Sequence, residues 1–196
     1  MKYSIPNILT FSRIVVIPLI IAAFYLDYPW SNWVPLIPFA AASITDFFDG
    51  YLARANNLQS NLGQFLDPIA DKLLITTTIL MLVALDRIDG WSVLPALVIM
   101  LREILVSGLR EFLADLQVRV PVTALAKWKT TIQMVSLGFL LSGSAGDSLF
   151  AFLTDGLATK IGIIALWAAA FLTLYTGWDY LREGQSYFSE DKSNGR

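Results

Sequence analysis

The sequence predicts an all-α, polytopic membrane protein with six transmembrane helices. Three observations carry that expectation. Of 196 residues, 56% are hydrophobic and only 15% are charged, whereas soluble domains run near 45–50% apolar and about 25% charged. Mean hydropathy is +0.59. Apolar stretches of roughly 20 residues, the length a helix needs to cross a bilayer, recur along the chain between short polar segments.

Taken in order, the expected spans are residues 8–26, 33–55, 68–85, 91–113, 124–141 and 157–181. The first follows Lys2 and has the look of a signal peptide. It is read as a retained span, because no small-residue cleavage site follows "AAFYLDYPW". Residues 1–185 form a single six-helix catalytic domain in this reading, and residues 186–196 a short cytoplasmic tail. "NNLQSNLGQF" (56–65) reads as a polar cytoplasmic connection and "SGSAGDS" (142–148) as an external loop.

Basic residues set the orientation. With six spans both termini share a side, and Lys2, Arg54, Arg119, Lys127, Lys129, Arg182, Lys192 and Arg196 fall there. The opposite side has Arg87 and Lys160 with five aspartates, Asp27, Asp86, Asp89, Asp147 and Asp155. The expected location is therefore the cytoplasmic (inner) membrane, with both termini in the cytoplasm. Trp30, Trp33 and Trp91 fall near the outer ends, as interfacial aromatics do.

The chain has no cysteine and no histidine. Disulfides, Cys/His zinc sites, and Ser-His-Asp and Cys-His catalysis are excluded. What remains is chemistry by carboxylates, Lys, Arg, Tyr, hydroxyls or a hard metal ion.

Four aspartates stand out: Asp46 and Asp49 toward the end of the second span, Asp67 and Asp71 at the start of the third. Asp46, Asp49, Gly50, Ala53 and Arg54 have the spacing of one helix face, and Asp67 and Asp71, four apart, share a face of the next helix. Carboxylates gathered at a membrane edge repel one another strongly, and divalent metal is the simplest way to keep them ionised. Oxygen-only ligands favour Mg, Mn or Ca, and two ions shared by four carboxylates suit displacement at phosphorus. Gly50 and Ala53 leave the helix face beside the acids free of bulk for a flat group such as a nucleotide, and Arg54 can hold a phosphate oxygen. Gly and Ala also serve plain helix packing, but ionisable residues in a membrane are functional candidates by default.

The run Asp46-x-x-Asp49-Gly50-x-x-Ala53-Arg54, eight further residues, then Gly63-x-x-x-Asp67-x-x-x-Asp71, resembles the signature of the CDP-alcohol phosphotransferases, with every fixed position filled. The resemblance implies a six-helix membrane enzyme, a homodimer, which moves a substituted phosphoryl group from a CDP-linked donor to an alcohol and releases CMP. It implies Asp46, Asp49 and Asp67 as ligands of two divalent ions, Mg2+ or Mn2+. Asp71 would be the catalytic base toward the acceptor hydroxyl, with metal contact as well. Gly50, Ala53, Arg54 and Gly63, together with Asp49, would shape the CDP pocket. The residues themselves do not separate ligand from base among the four.

"LREILVSGLREFL" in the fourth span brings Arg102, Glu103, Arg110 and Glu111, and "KWKTTIQ" brings Lys127, Lys129, Thr130 and Gln133. Arg102 lies about 12 Å along the helix from Arg110 at 1.5 Å per residue and needs a partner, either Glu103 or an aspartate of the cluster. A phosphorylated acceptor calls for this much positive charge and a neutral one does not. These stretches and the opening "IPNILTFSRIVVIP" resemble the subgroup that transfers a phosphatidyl group from CDP-diacylglycerol to sn-glycerol 3-phosphate. The resemblance implies Arg110, Lys127, Lys129 and Arg102 as acceptor phosphate ligands, and Asn7 and Thr10 on the nucleotide side.

Plainer roles stand beside these. Lys127 and Lys129 also fit the positive-inside bias, Arg110 can pair with Asp115 or Glu111, and Arg13 can be the structural partner of a buried carboxylate. Trp167, Tyr175, Trp178 and Tyr180 read as packing or interface residues. Membrane lipids are expected partners and nucleic acid is not. The rival functions are other members of the same family (phosphatidylinositol phosphate, phosphatidylserine or cardiolipin synthases), a membrane prenyltransferase, and a cation carrier. The last two do not call for Gly50, Ala53 and Arg54 beside the acids.

Overall fold

The computed structural model describes the backbone of residues 5–56, 61–115 and 124–190, and the side chains of residues 11–45, 66, 68–113 and 125–182. The described residues are helical throughout apart from short connections: α1 (Ile5–Ala23), α2 (Trp30–Asn56), α3 (Asn61–Ala84), a 3-10 turn at Gly90–Ser92, α4 (Val93–Asp115), α5 (Ala124–Leu149) and α6 (Leu157–Glu190). Each expected span falls on one of these helices. Two segments, Gly90–Leu113 and Leu157–Arg182, are long and apolar enough to cross a bilayer, and Phe11–Ala23 is a shorter apolar helix.

Two expectations at helix ends change. Residues 142–148, expected as a loop, are the end of α5, which breaks at Gly143 (φ 43, ψ −135) and resumes. Residues 186–190 of the expected tail continue α6, and residues 191–196 lie outside the described residues.

The chain divides into two compact units, Met1–Asp89 with Ser136–Ile163, and Gly90–Val135 with Ile164–Arg196. In the first unit α1 packs on both α2 and α3. Ile20, Phe39, Ile79 and Leu82 are buried there, as are Leu137, Leu140 and Leu141 of α5. The helix α3 ends in a Schellman arrangement: Asp86 takes a left-handed φ of 53, Arg87 N–H bonds Leu82 O at 2.8 Å, and Asp86 N–H bonds Val83 O at 3.1 Å.

That closure delivers the Arg87 side chain to the break in α5. Arg87 Nη1 donates to Leu141 O at 2.9 Å, and Asn32 Nδ2 donates to Ser142 O at 2.7 Å. The carbonyls released by the kink thus regain donors, as buried backbone groups must. The Arg87 guanidinium also lies 5.3 Å from the Phe24 ring centroid, and its burial lowers its pKa from the usual arginine value. Further along the first unit, Asp147 accepts from Thr159 N and Oγ1 at 2.9 and 2.6 Å, capping the start of α6.

The second unit reverses the pattern of a soluble bundle. Its exposed side chains include Leu101, Ile104, Leu105, Phe171, Leu174 and Trp178, while Lys129, Gln133, Thr173 and Thr176 are buried. Polar groups inside and apolar groups outside is the arrangement that lipid, rather than water, favours.

Candidate active site

The aspartate motif is carried by two helices of the first unit. Asp46, Asp49, Gly50, Ala53 and Arg54 lie on α2, and Gly63, Asp67 and Asp71 on α3, while Asn7 and Thr10 lie on α1. The side chains of Asn7, Thr10, Asp46, Asp49, Gly50, Ala53, Arg54, Gly63 and Asp67 are outside the described residues. Asp71 is described, and its carboxylate is the one member of the quartet whose surroundings are defined.

Asp71 Oδ1 accepts a hydrogen bond from Arg13 Nη1 at 2.7 Å. The arginine side chain is almost wholly buried, at 4% exposure, whereas that of Asp71 is 34% exposed. Arg13 therefore meets a carboxylate of the motif itself. It also lines a cavity of about 180 Å³ between α1 and α2, with Ser12 and Val16 on one side and Pro38, Ala42 and Thr45 on the other. Positions 46 and 49 follow Ala42 and Thr45 by four residues on α2, one helical turn further along the same face.

The expected acceptor residues belong to the second unit. Lys129 of α5 is buried and ion-paired with Glu103 of α4. Arg102 Nη1 is 3.7 Å from the same Glu103 oxygen, and Arg102 Nη2 donates to Thr176 Oγ1 of α6 at 3.0 Å. Of the two partners foreseen for Arg102, it is Glu103 that stands beside it. Arg102, Arg110 and Lys129 lie close enough to act on one another electrostatically. Lys127 is exposed on α5.

Tyr180, expected as a packing or interface residue, packs against two of the expected acceptor residues. It is buried, and the guanidinium carbons of Arg102 and Arg110 lie 5.9 and 5.6 Å from its ring centroid, within cation–π range. Arg110 thus has an aromatic ring against it; the side chain of Asp115, one of its two expected partners, lies outside the described residues. Tyr175 and Trp178 are exposed, as packing or interface residues in lipid should be. A signal for Tyr180 exists in hindsight: Thr173, Thr176, Gly177 and Tyr180 have the spacing of one helix face, and Gly177 makes room for Arg102, whose Cγ would stand 3.1 Å from an added Cβ. Gln133, one turn beyond Lys129, and Thr173 are fully buried, and their side-chain polar atoms have no hydrogen-bond partner among the described residues.

Chemically, the first unit supplies a carboxylate fixed by an arginine at the end of an acidic motif, and the second supplies two cations, Lys129 and Arg102, on one carboxylate, with Arg110 sharing the Tyr180 ring with Arg102. The first can accept a proton, the second can hold an anion such as a phosphate. The oxygen-only donor set of the motif fits hard divalent ions.

The chain is similar to known proteins along most of its length. Residues 3–175 match the family model described as CDP-alcohol phosphatidyltransferase. A Rickettsia felis protein named CDP-diacylglycerol–glycerol-3-phosphate 3-phosphatidyltransferase is 48% identical over 185 residues, covering 94% of this chain and 97% of the relative. Proteins of the same name from Cereibacter sphaeroides and Salmonella choleraesuis are 38% and 39% identical, covering 98% and 92% of this chain and 100% and 94% of the relatives. With the family model spanning nearly all six helices and these relatives matching end to end, the chain belongs to the CDP-alcohol phosphatidyltransferase family.

Proposed function

We propose that the chain transfers the phosphatidyl group of CDP-diacylglycerol to sn-glycerol 3-phosphate, forming phosphatidylglycerophosphate and CMP in phospholipid biosynthesis. The observation that carries this reading is the full-length likeness, at 38–48% identity, to relatives named for that reaction. The cation cluster of Arg102, Arg110 and Lys129 supports it, because a phosphorylated acceptor needs such a group and a neutral alcohol does not.

In this reading Asp46, Asp49 and Asp67, with contact from Asp71, hold two divalent ions, Mg2+ or Mn2+. Bound there, the ions would neutralise charge on the diphosphate and on the departing CMP. Asp71, oriented by Arg13, accepts the proton of the acceptor hydroxyl as its oxygen bonds to the phosphorus that carries diacylglycerol. The bond from that phosphorus to the CMP oxygen breaks, and CMP leaves with the electron pair. Gly50, Ala53, Arg54, Gly63, Asn7 and Thr10 line the nucleotide. Arg110, Lys127, Lys129 and Arg102 take the acceptor phosphate, with Tyr180 setting the two arginines. Positioning and charge stabilisation supply most of the catalysis in such displacements.

The same proposal includes six membrane-crossing helices in one catalytic domain of residues 1–185, a homodimer, and an active site at the cytoplasmic face. That face is where a lipid donor and a soluble acceptor can meet. The test is competition among alcohols for turnover of labelled CDP-diacylglycerol by the purified chain. Glycerol 3-phosphate should drive CMP release far better than serine, inositol phosphate or phosphatidylglycerol, and preference for any of those would replace the acceptor named here.

A further inference from the structure

Glu103 has no part in the reaction just described, yet it stands against two of the cations assigned to the acceptor, Lys129 and Arg102. Its Oε1 is the atom that Lys129 Nζ contacts, and the same atom lies 3.7 Å from Arg102 Nη1. Lys129 is buried and Glu103 is only 19% exposed. Buried cations without an anion are costly, and here Lys129 is buried with Arg102, whose side chain is only 11% exposed, beside the same carboxylate. The carboxylate of Glu103 therefore does for these cations what a bound phosphate would do.

We propose that Glu103 is the resident counter-ion of the acceptor pocket, and that a phosphate ligand competes with its carboxylate for Lys129 and Arg102. This rests on the assignment of those cations to the acceptor phosphate. Ligand binding then exchanges one anion for another, so Lys129 and Arg102 are never left uncompensated. The exchange weakens acceptor binding by the energy of the contacts broken, and in return excludes acceptors too weakly charged to displace a carboxylate. Neutral alcohols cannot make the exchange.

Glu103→Gln removes the competing charge while keeping shape. Thermal unfolding of the purified full-length chain in detergent, with and without inorganic phosphate, reads the effect without turnover. The variant should melt lower than the unaltered chain in the absence of phosphate, because a broken buried pair leaves unpaired cations. Phosphate should raise its melting temperature by more than it raises that of the unaltered chain, and bind roughly tenfold tighter or more. An equal or smaller phosphate shift would overturn the proposal. Should Glu103→Gln not fold, Glu103→Asp decides the matter: its shorter side chain loosens the hold on Lys129, so phosphate should stabilise it more than the unaltered chain, and an equal or smaller effect again overturns the idea. Chains that respond to phosphate in this way but release no CMP with glycerol 3-phosphate would keep the counter-ion and refute the proposed reaction instead.

Discussion

Arg13 of α1 donates to Asp71 of α3 at 2.7 Å, and the arginine is buried while the aspartate is partly open. A side chain from the first helix thus fixes the last carboxylate of a motif carried by the next two. This makes Arg13 a positioning residue for the proposed base. Arg13→Ala should lower kcat at least tenfold, about 1.4 kcal/mol in the barrier, with smaller changes in KM for either substrate. Arg13→Lys should restore part of the loss, since it returns a cation without the planar fork. Steady-state CMP release measures both. A KM effect confined to the acceptor would instead move Arg13 to acceptor binding.

Asp71→Asn keeps the shape of the side chain and removes its ability to take a proton. CMP release should fall to background while CDP-diacylglycerol binding largely survives, as read by equilibrium binding of labelled donor. Unchanged turnover would remove Asp71 from the chemistry.

Arg110→Ala should raise the KM for glycerol 3-phosphate at least tenfold, about 1.4 kcal/mol, and leave the KM for the lipid donor near its original value. Tyr180→Leu should act in the same direction more weakly, because it withdraws one ring from two guanidinium groups, each contact being worth about 0.5–2 kcal/mol. A defect toward the donor alone would refute the acceptor assignment of both.

Gly143 sits at φ 43 and ψ −135, a region that residues with a Cβ rarely enter. An added Cβ would also stand 2.8 Å from Asn32 Nδ2, which is held in place by its bond to Ser142 O. Gly143→Ala should therefore destabilise the protein by about 1–3 kcal/mol, seen as a lower melting temperature with KM values little changed. Full stability would mean that the break in α5 can close.

Much of this was legible in the sequence. Six apolar stretches fall on six helices, and two of these, over Gly90–Leu113 and Leu157–Arg182, are long and apolar enough to cross a bilayer. The motif was legible because Asp46, Asp49, Asp67 and Asp71 recur at helical spacing and no packing rule asks for four carboxylates there. The partner of Asp71 was open, since Arg13 is 58 residues away in sequence and helix spacing says nothing about which helices meet. Tyr180 reads in the sequence like Tyr175 and Trp178, because aromatic residues near a span's end look alike until burial separates them. The break at Gly143 reads as a loop in the sequence: its small, polar composition resembles one, and its hydrogen bonds come from Asn32 and Arg87, far away in the chain.

The most direct measurement is product formation by the purified chain supplied with CDP-diacylglycerol, sn-glycerol 3-phosphate and Mg2+, each also left out in turn. The account predicts CMP and phosphatidylglycerophosphate in equal amounts only when all three are present, with EDTA stopping the reaction and Mg2+ or Mn2+ restoring it. Equal turnover in EDTA, or equal turnover with plain glycerol as acceptor, would contradict it.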